Sequence, residues 1–136
     1  VARRCRLDII QLHGSESPSF CLDFSHRIIK AFQISQIEDV NQISPYQGTV
    51  SAVLLDTKMP GKFGGTGKTF DWGLALKAKE FHLPVILAGG ITLSNIKKAI
   101  KLVDPYAVDI STSVEKEPGI KDYNKMKEFL GIAKKF

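Results

Sequence analysis

Apolar residues form five short runs along the chain, and a segment with helical spacing follows each run. The runs are continuous rather than alternating, which is typical of strands buried on both faces of a parallel sheet. They occupy residues 7–12, 28–34, 50–57, 83–88 and 107–111. Helices are predicted at residues 20–28, 37–43, 71–81, 92–103 and 123–135. The pattern therefore predicts an α/β fold, with residues 1–136 as a single domain of five βα units.

Two architectures are compatible with five βα units. The first is a doubly wound, flavodoxin-like sheet, which would be complete at this length. The second is most of a (β/α)8 TIM barrel, which needs eight strands and typically about 250 residues. The periodicity of the apolar residues leaves both open.

Composition and charge narrow the classes of partner. The chain is 43% hydrophobic and 24% charged, and it has neither a leader-like start nor an apolar stretch near the ~20 residues of a membrane helix. We therefore expect a soluble, cytoplasmic protein without a membrane partner. The net charge of +5 favours an anionic ligand. Because the lysines are scattered along predicted helices, a phosphorylated small molecule is expected rather than a nucleic acid.

The two cysteines do not suggest a metal or redox site. Cys5 and Cys21 lack the spacing of zinc ligands or of a CxxC pair, so we interpret them as free thiols. No metal and no cofactor are predicted.

The residues that follow the predicted strands are the candidates for chemistry, because ligands of parallel α/β sheets bind at the carboxyl ends of the strands. They combine histidine, carboxylate, glycine and hydroxyl groups: His13, Gly14, Gln33, Asp56, Gly89, Gly90, Asp109, Ser111 and Thr112. Two adjacent glycines let the backbone approach a ligand closely, and backbone amides in such loops can hold a phosphate group. A plain tight turn is the alternative for Gly89 and Gly90.

Each side chain in this set has a second interpretation. Asp56 follows a buried strand and suits a general acid, although a helix cap or a brace for a loop would use the same residue. His13 is a ligand contact or a histidine that packs a loop. Asp109, placed within the predicted fifth strand, either reacts or braces neighbouring loops.

The glycine-rich stretch at residues 61–69 resembles a P-loop only at first sight. A P-loop needs a glycine five residues before the final Gly-Lys-Thr, and that position is Lys62. A loop that closes over a phosphorylated substrate is the better interpretation, with glycines as hinges and Lys58, Lys62 and Lys68 as positive charges.

Four segments together resemble one enzyme family. They are QLHGSE at 11–16, LLDTKMPGKFGGTGKTFDW at 54–72, LAGGITLSNIKKAI at 87–100 and AVDISTSVEKEPGIKD at 107–122. In order and spacing they are similar to the last five βα units of phosphoribosylanthranilate isomerases. The resemblance implies a (β/α)8 TIM barrel, of which this chain would be a partial barrel containing strands 4 to 8.

The family resemblance also implies an activity. These isomerases act in tryptophan biosynthesis and convert N-(5-phosphoribosyl)anthranilate to 1-(2-carboxyphenylamino)-1-deoxyribulose 5-phosphate by an Amadori rearrangement. Asp56 matches the general acid, and Gly89, Gly90, Ser111 and Thr112 match the loops that hold the substrate phosphate. The expected substrate-binding set is completed by His13, Gly64, Gly65 and Asp109.

The chain departs from the family pattern at three places. The general base is a cysteine in a KICG motif, which this sequence lacks, and neither Cys5 nor Cys21 stands at a strand end. The arginine that binds the substrate carboxylate is absent as well. Ser113 replaces a usual glycine, which would conflict with a turn that requires a positive φ.

These departures define what we expect of the chain by itself. We expect a poorly active or inactive isomerase fragment, as a monomer or homodimer. The alternative is a non-catalytic half-barrel that binds a sugar phosphate.

Overall fold

Five parallel strands form one sheet in the computed structural model, which describes residues 2–57 and 71–134. The strands are β1 (Ile9–Leu12), β2 (Arg27–Ile34), β3 (Ala52–Thr57), β4 (Val85–Leu87) and β5 (Ala107–Val108). Each strand pairs in parallel with the next along the chain, so the spatial order is sequential. The α/β prediction is confirmed. The flavodoxin-like alternative is wrong, because its first strand lies between the second and the third.

Six α-helices accompany the strands in the described part of the chain. They are α1 (Ala2–Cys5), α2 (Pro18–Leu22), α3 (Ile37–Asn41), α4 (Trp72–Lys79), α5 (Ile96–Val103) and α6 (Tyr123–Ala133). Short polar side chains begin several of them: the Asp71 carboxylate accepts a hydrogen bond from Gly73 N at 2.9 Å, and the Asp122 carboxylate accepts from Asn124 N at 2.9 Å.

The helix predicted at residues 20–28 is wrong in length. It begins at Pro18, where the Ser17 hydroxyl accepts a hydrogen bond from Phe20 N at 3.2 Å, and it ends at Leu22. Phe24 packs against the core from the following turn, and Ile28 already belongs to β2. Apolar residues of a turn and of a strand thus imitated the spacing of a longer helix.

The two faces of the sheet are packed very differently. One face is covered by helices α3 to α6, each of which packs against the next in the row. The main core lies there, and it includes Ile34, Val53, Leu55 and Leu87 from the strands, all of them buried. The opposite face carries a small cluster of Ala31, Leu54 and Ala88, flanked by the half-buried Ile29 and Ile86.

The region after β4 differs from prediction in two ways. Strand β5 ends at Val108 instead of residue 111, so Asp109 lies just past the strand rather than within it. The predictions also missed an antiparallel hairpin of β6 (Glu115–Glu117) and β7 (Ile120–Lys121). Within the described ranges, no helix has the length and apolar character needed to cross a bilayer.

Candidate active site

A cavity of about 300 Å³ opens at the carboxyl ends of β3, β4 and β5. It is lined by Asp56, Ala88, Gly89, Gly90, Ile91, Thr92, Asp109, Ile110, Ser111, Thr112 and Ser113. Six of the nine predicted site residues therefore meet at one place. Of the other three, His13 does not line this cavity, and Gly64 and Gly65 lie outside the described residues.

Asp56 presents its carboxylate at the mouth of this cavity. Its side chain is 19% exposed, and its Oδ1 accepts a hydrogen bond from Thr57 N at 2.8 Å. Its Oδ2 lies 4.0 Å from Nε2 of His13. One carboxylate oxygen is thus fixed by the backbone, and the other is directed towards an imidazole.

Gly89 has no room for a side chain. Its φ is +71°, and an added Cβ would lie 2.7 Å from Oδ1 of Asp56 and still closer to the amide of Thr57. Gly90 has a φ of +69°, which also favours glycine. The turn therefore needs glycine for its backbone conformation, and at Gly89 also for the space that the Asp56 carboxylate occupies.

Side-chain hydrogen bonds hold the turn that follows these glycines. Asn95 Nδ2 donates to the carbonyl of Gly90 at 2.9 Å, and Asn95 Oδ1 accepts from Thr92 N at 2.8 Å. Asn95 immediately precedes α5. Sequence reasoning missed its role, because the helix was predicted to begin at residue 92, which placed Asn95 inside it, whereas the observed helix begins at Ile96.

The loop after β5 is held by the hairpin. Lys121 Nζ donates to the carbonyl of Ser111 at 3.0 Å and to Oε1 of Glu115 at 2.8 Å. The hydrogen bond from Lys121 outweighs desolvation and lowers the pKa of the Glu115 carboxyl. Asp109 N donates to the carbonyl of Leu87 at 2.9 Å, which keeps this loop beside β4.

Ser113 does not have the positive φ that its family position suggested. Among the described residues, the non-glycine residues with positive φ are Arg6, His82 and Asp104. Ser113 lies in a 3-10 helix, Thr112–Val114, so the expected conflict with a left-handed turn is wrong. Its Oγ is buried and finds no hydrogen-bond partner in the described part of the chain.

His13 lines a second cavity of about 500 Å³, beside the first. Its other lining residues include Gly14, Lys30, Gln33 and Tyr46. The imidazole of His13 is 41% exposed, and it lies 4.0 Å from the carboxylate of Asp56, which lines the first cavity. Across residues 2–57 and 71–134, no three His, Cys, Asp or Glu side chains gather as metal ligands would.

Comparisons with known proteins agree on one family. The family model described as N-(5'phosphoribosyl)anthranilate (PRA) isomerase matches residues 1–131. An N-(5'-phosphoribosyl)anthranilate isomerase of Geobacter metallireducens is 51% identical over 133 residues, which are 98% of this chain and 64% of the relative. The chain thus spans about 64% of the length of that curated relative, which is most of it but less than the whole.

Solved structures give the same result. A crystal structure of phosphoribosyl anthranilate isomerase from Thermotoga maritima superposes with a TM-score of 0.88 at 37% identity, covering 99% of this chain and 65% of that one. Another similar structure is an isomerase in complex with reduced 1-(o-carboxyphenylamino)-1-deoxyribulose 5-phosphate. Its TM-score is 0.83 at 33% identity, covering 99% of this chain and 63% of that one.

Proposed function

The chain belongs to the N-(5'-phosphoribosyl)anthranilate isomerase family, and from this premise we propose that its cavity binds the phosphorylated ribose of N-(5-phosphoribosyl)anthranilate. Asp56 is then the general acid of the isomerisation in tryptophan biosynthesis. One observation carries the proposal. Asp56, the glycines of the loop after β4 and the hydroxyl groups of the loop after β5 line one cavity.

The proposed acid step uses a proton on the Asp56 carboxyl. Transfer of that proton to the furanose ring oxygen lets the C1–O bond break while the nitrogen lone pair forms a C=N bond. The C2 proton of the resulting Schiff base must then pass to a base, which in the family pattern is the cysteine of the KICG motif that this sequence lacks. Removal of that proton gives the enolamine, which tautomerises to the ketone product. The hydrogen bond from Thr57 N occupies Oδ1 of Asp56, so Oδ2 is the oxygen proposed to carry the proton.

The phosphate group is proposed to lie against the backbone of the loops after β4 and β5. Gly89 and Gly90 allow close approach of the chain to phosphoryl oxygens, and Ser111 and Thr112 are exposed on the facing loop. Backbone amides at such turns, close to helix starts, provide positive partial charge without a charged side chain. The predicted roles of Gly64 and Gly65 in closing the site stay part of the proposal.

We further propose that the five βα units correspond to the last five of an eight-unit barrel. The motif order supports this assignment, and five of eight units is roughly the 64% of the relative that the chain spans. The sheet face that carries the small cluster of Ala31, Leu54 and Ala88 would then be part of the barrel interior. Since the sequence contains no KICG motif, the 136 residues alone are proposed to be a poor catalyst.

A binding experiment tests the phosphate half of the proposal. Calorimetric titration with reduced 1-(o-carboxyphenylamino)-1-deoxyribulose 5-phosphate should show binding to the parent chain. Gly90→Asp adds a carboxylate to the cavity wall and should weaken binding by roughly tenfold or more. Gly48→Asp is the matched control, because Gly48 also has a positive φ of 76° but precedes β3 at the other end of the sheet. Equal binding by both variants would reject the proposed site.

An activity experiment tests the acid half. We expect little turnover from the chain alone, and turnover once it is fused to the first three βα units of the Thermotoga maritima isomerase. Asp56→Asn in that fusion should lower kcat by roughly 100- to 10,000-fold, the range for loss of a general acid. A fusion that remains inactive but binds the analogue would favour the second candidate, a sugar-phosphate-binding module, which the missing KICG motif supports.

A further inference from the structure

Lys30 is a buried cation that the proposed chemistry does not use. It is 2% exposed and lies in the middle of β2, between Ile28 and Phe32 of the helix-covered core. Lysine is almost never buried unless its charge is paired. The contacts of its ammonium group therefore indicate what it does.

All three donors of the Lys30 ammonium have an acceptor. Nζ donates to the carbonyl of Gly14 at 2.8 Å and to the carbonyl of Ala31 at 2.9 Å, and it lies 3.4 Å from Oε2 of Glu16. The cation also lies 5.1 Å from the ring centre of Phe32 and 6.0 Å from that of Tyr46. Two of the three acceptors belong to the loop between β1 and α2.

A second group of contacts holds the same loop. The Tyr46 hydroxyl donates to the carbonyl of Glu16 at 2.7 Å, and the Glu16 carboxylate accepts from Gly14 N at 2.9 Å. Burial raises the pKa of the Glu16 carboxyl, but the backbone hydrogen bonds and Lys30 outweigh it, so the net pKa is lowered. Glu16 is therefore held as an anion, and the loop is anchored at Gly14 and at Glu16.

The anchored loop begins with His13, which directly precedes Gly14. We infer that Lys30 is a positioning residue that sets the imidazole of His13 against the carboxylate of Asp56. The separation of 4.0 Å between His13 Nε2 and Asp56 Oδ2 depends on the position of this loop relative to β3. No other charge on β2 reaches the loop among the described contacts.

Positioning and stability can be separated at Lys30. Removing one partner of a buried ion pair is costly when the other charge stays buried, but the Glu16 side chain is 25% exposed, so water can take the place of the ammonium group there. A methionine at this position should therefore lower the stability of the protein without unfolding it. Methionine keeps the length of the side chain but cannot hold Gly14 or Glu16. Lys30→Met should therefore leave the fold intact while it releases the loop between β1 and α2.

Proton NMR of the His13 imidazole measures the positioning directly. In the parent chain, Asp56→Asn should shift the His13 ring resonances, because a charge 4.0 Å away is removed. In the Lys30→Met background this response should fall by roughly threefold or more, since the coupling decreases with distance and with exposure to solvent. The resonances of His26 and His82 serve as internal references.

Lys79→Met is the matched control variant. Lys79 Nζ also donates to two carbonyls, of Val103 at 2.9 Å and Asp104 at 2.8 Å, and lies 3.6 Å from the Asp104 carboxylate. These contacts hold the turn before β5, at the opposite end of the sheet. Lys79→Met should therefore keep the full response of His13 to Asp56→Asn.

The outcomes distinguish the alternatives. A full His13 response in Lys30→Met, or an equal loss in Lys79→Met, overturns the inference. If Lys30→Met fails to fold, Glu16→Gln removes one anchor of the loop and should reduce the response in the same direction; an unchanged response there overturns the inference too. The inference takes the importance of His13 from the proposed function. Because this measurement needs no ligand, an analogue that fails to bind would reject that function and leave the positioning result intact.

Discussion

The two ends of the parallel strands turn the chain by different means. Before the strands, left-handed backbone occurs at Arg6, Gly48, His82 and Asp104, three of which carry side chains. After β4 it occurs at Gly89 and Gly90. An added Cβ would meet nothing within 4 Å at Gly48, whereas at Gly89 it would press on Asp56 and Thr57. A side chain at Gly48 is thus limited by backbone conformation alone, whereas one at Gly89 is also limited by Asp56 and Thr57 beside it.

The largest expected effect tests that difference directly. Gly89→Ala should lower the free energy of unfolding by about 3 kcal/mol, because alanine is strained in left-handed backbone and its Cβ would clash with Asp56 and Thr57. Gly48→Ala carries only the left-handed penalty and should cost about 1 kcal/mol. Urea unfolding of both variants measures the two values. Equal costs would show that the contacts of Gly89 relax freely.

The next effect concerns the charges at the carboxyl ends. Because the pKa of Glu16 is lowered in the fold from its ordinary value of 4.5, its contribution to stability is present above pH 4.5 and is lost as the pH falls below it. Glu16→Gln should cost about 1.5 kcal/mol at pH 7. It should also flatten the decline of stability in acid, measured by urea unfolding at several pH values. An unchanged decline would exclude Glu16 as its source.

A smaller effect on stability is expected when hydroxyl groups are removed at the two ends of the parallel strands. Ser113→Ala removes a buried hydroxyl that has no partner among the described residues, so stability should stay level or rise by up to about 1 kcal/mol. Thr49→Val, before β3, removes a hydroxyl that donates to the carbonyl of Tyr46 at 2.9 Å, and should cost about 1 kcal/mol. Thermal unfolding compares the two; a loss at Ser113 equal to that at Thr49 would indicate an unrecognised partner.

The smallest effect is expected at Asp104. Its backbone has φ 47° and ψ 59°, and its N–H donates to the carbonyl of Ile100 at 2.8 Å. Asp104→Gly removes the strain of a side chain on left-handed backbone, but it also adds conformational freedom to the unfolded chain. The two effects oppose each other, so the free energy of unfolding should change by less than about 0.5 kcal/mol. A loss well above that value, again by urea unfolding, would assign importance to the contact with Lys79.

The sequence predicted which residues meet at the cavity better than it predicted the loops around them. Continuous apolar runs such as the one before Asp56 mark buried parallel strands, and parallel strands bring their carboxyl ends together. This alone placed Asp56 beside Gly89 and Gly90. The family resemblance added the expectation of a barrel and of an isomerase activity; of these inferences, membership of the family is confirmed.

Sequence reasoning missed two features, each for a different reason. Lys30 is a single lysine within an apolar run, and its two partners in the anchored loop, Gly14 and Glu16, lie 16 and 14 positions earlier in the chain. The hairpin of β6 and β7 is exposed and rich in charge, so it lacks the apolar pattern by which strands are recognised. The contacts of Lys30 are tertiary, and local patterns do not encode them. The hairpin pairs residues that are close in sequence, such as Glu117 and Ile120, so its composition and not its distance hid it.

The sequential order of the strands bears on how the chain acquires its structure. Every strand finds its partner in the neighbouring βα unit, so sheet formation needs only short loop closures, whose entropic cost is modest. Each new unit can add to the edge left by the one before. Assembly can therefore proceed in the direction of synthesis, with β3 in place before the loops after β4 and β5 emerge from the ribosome.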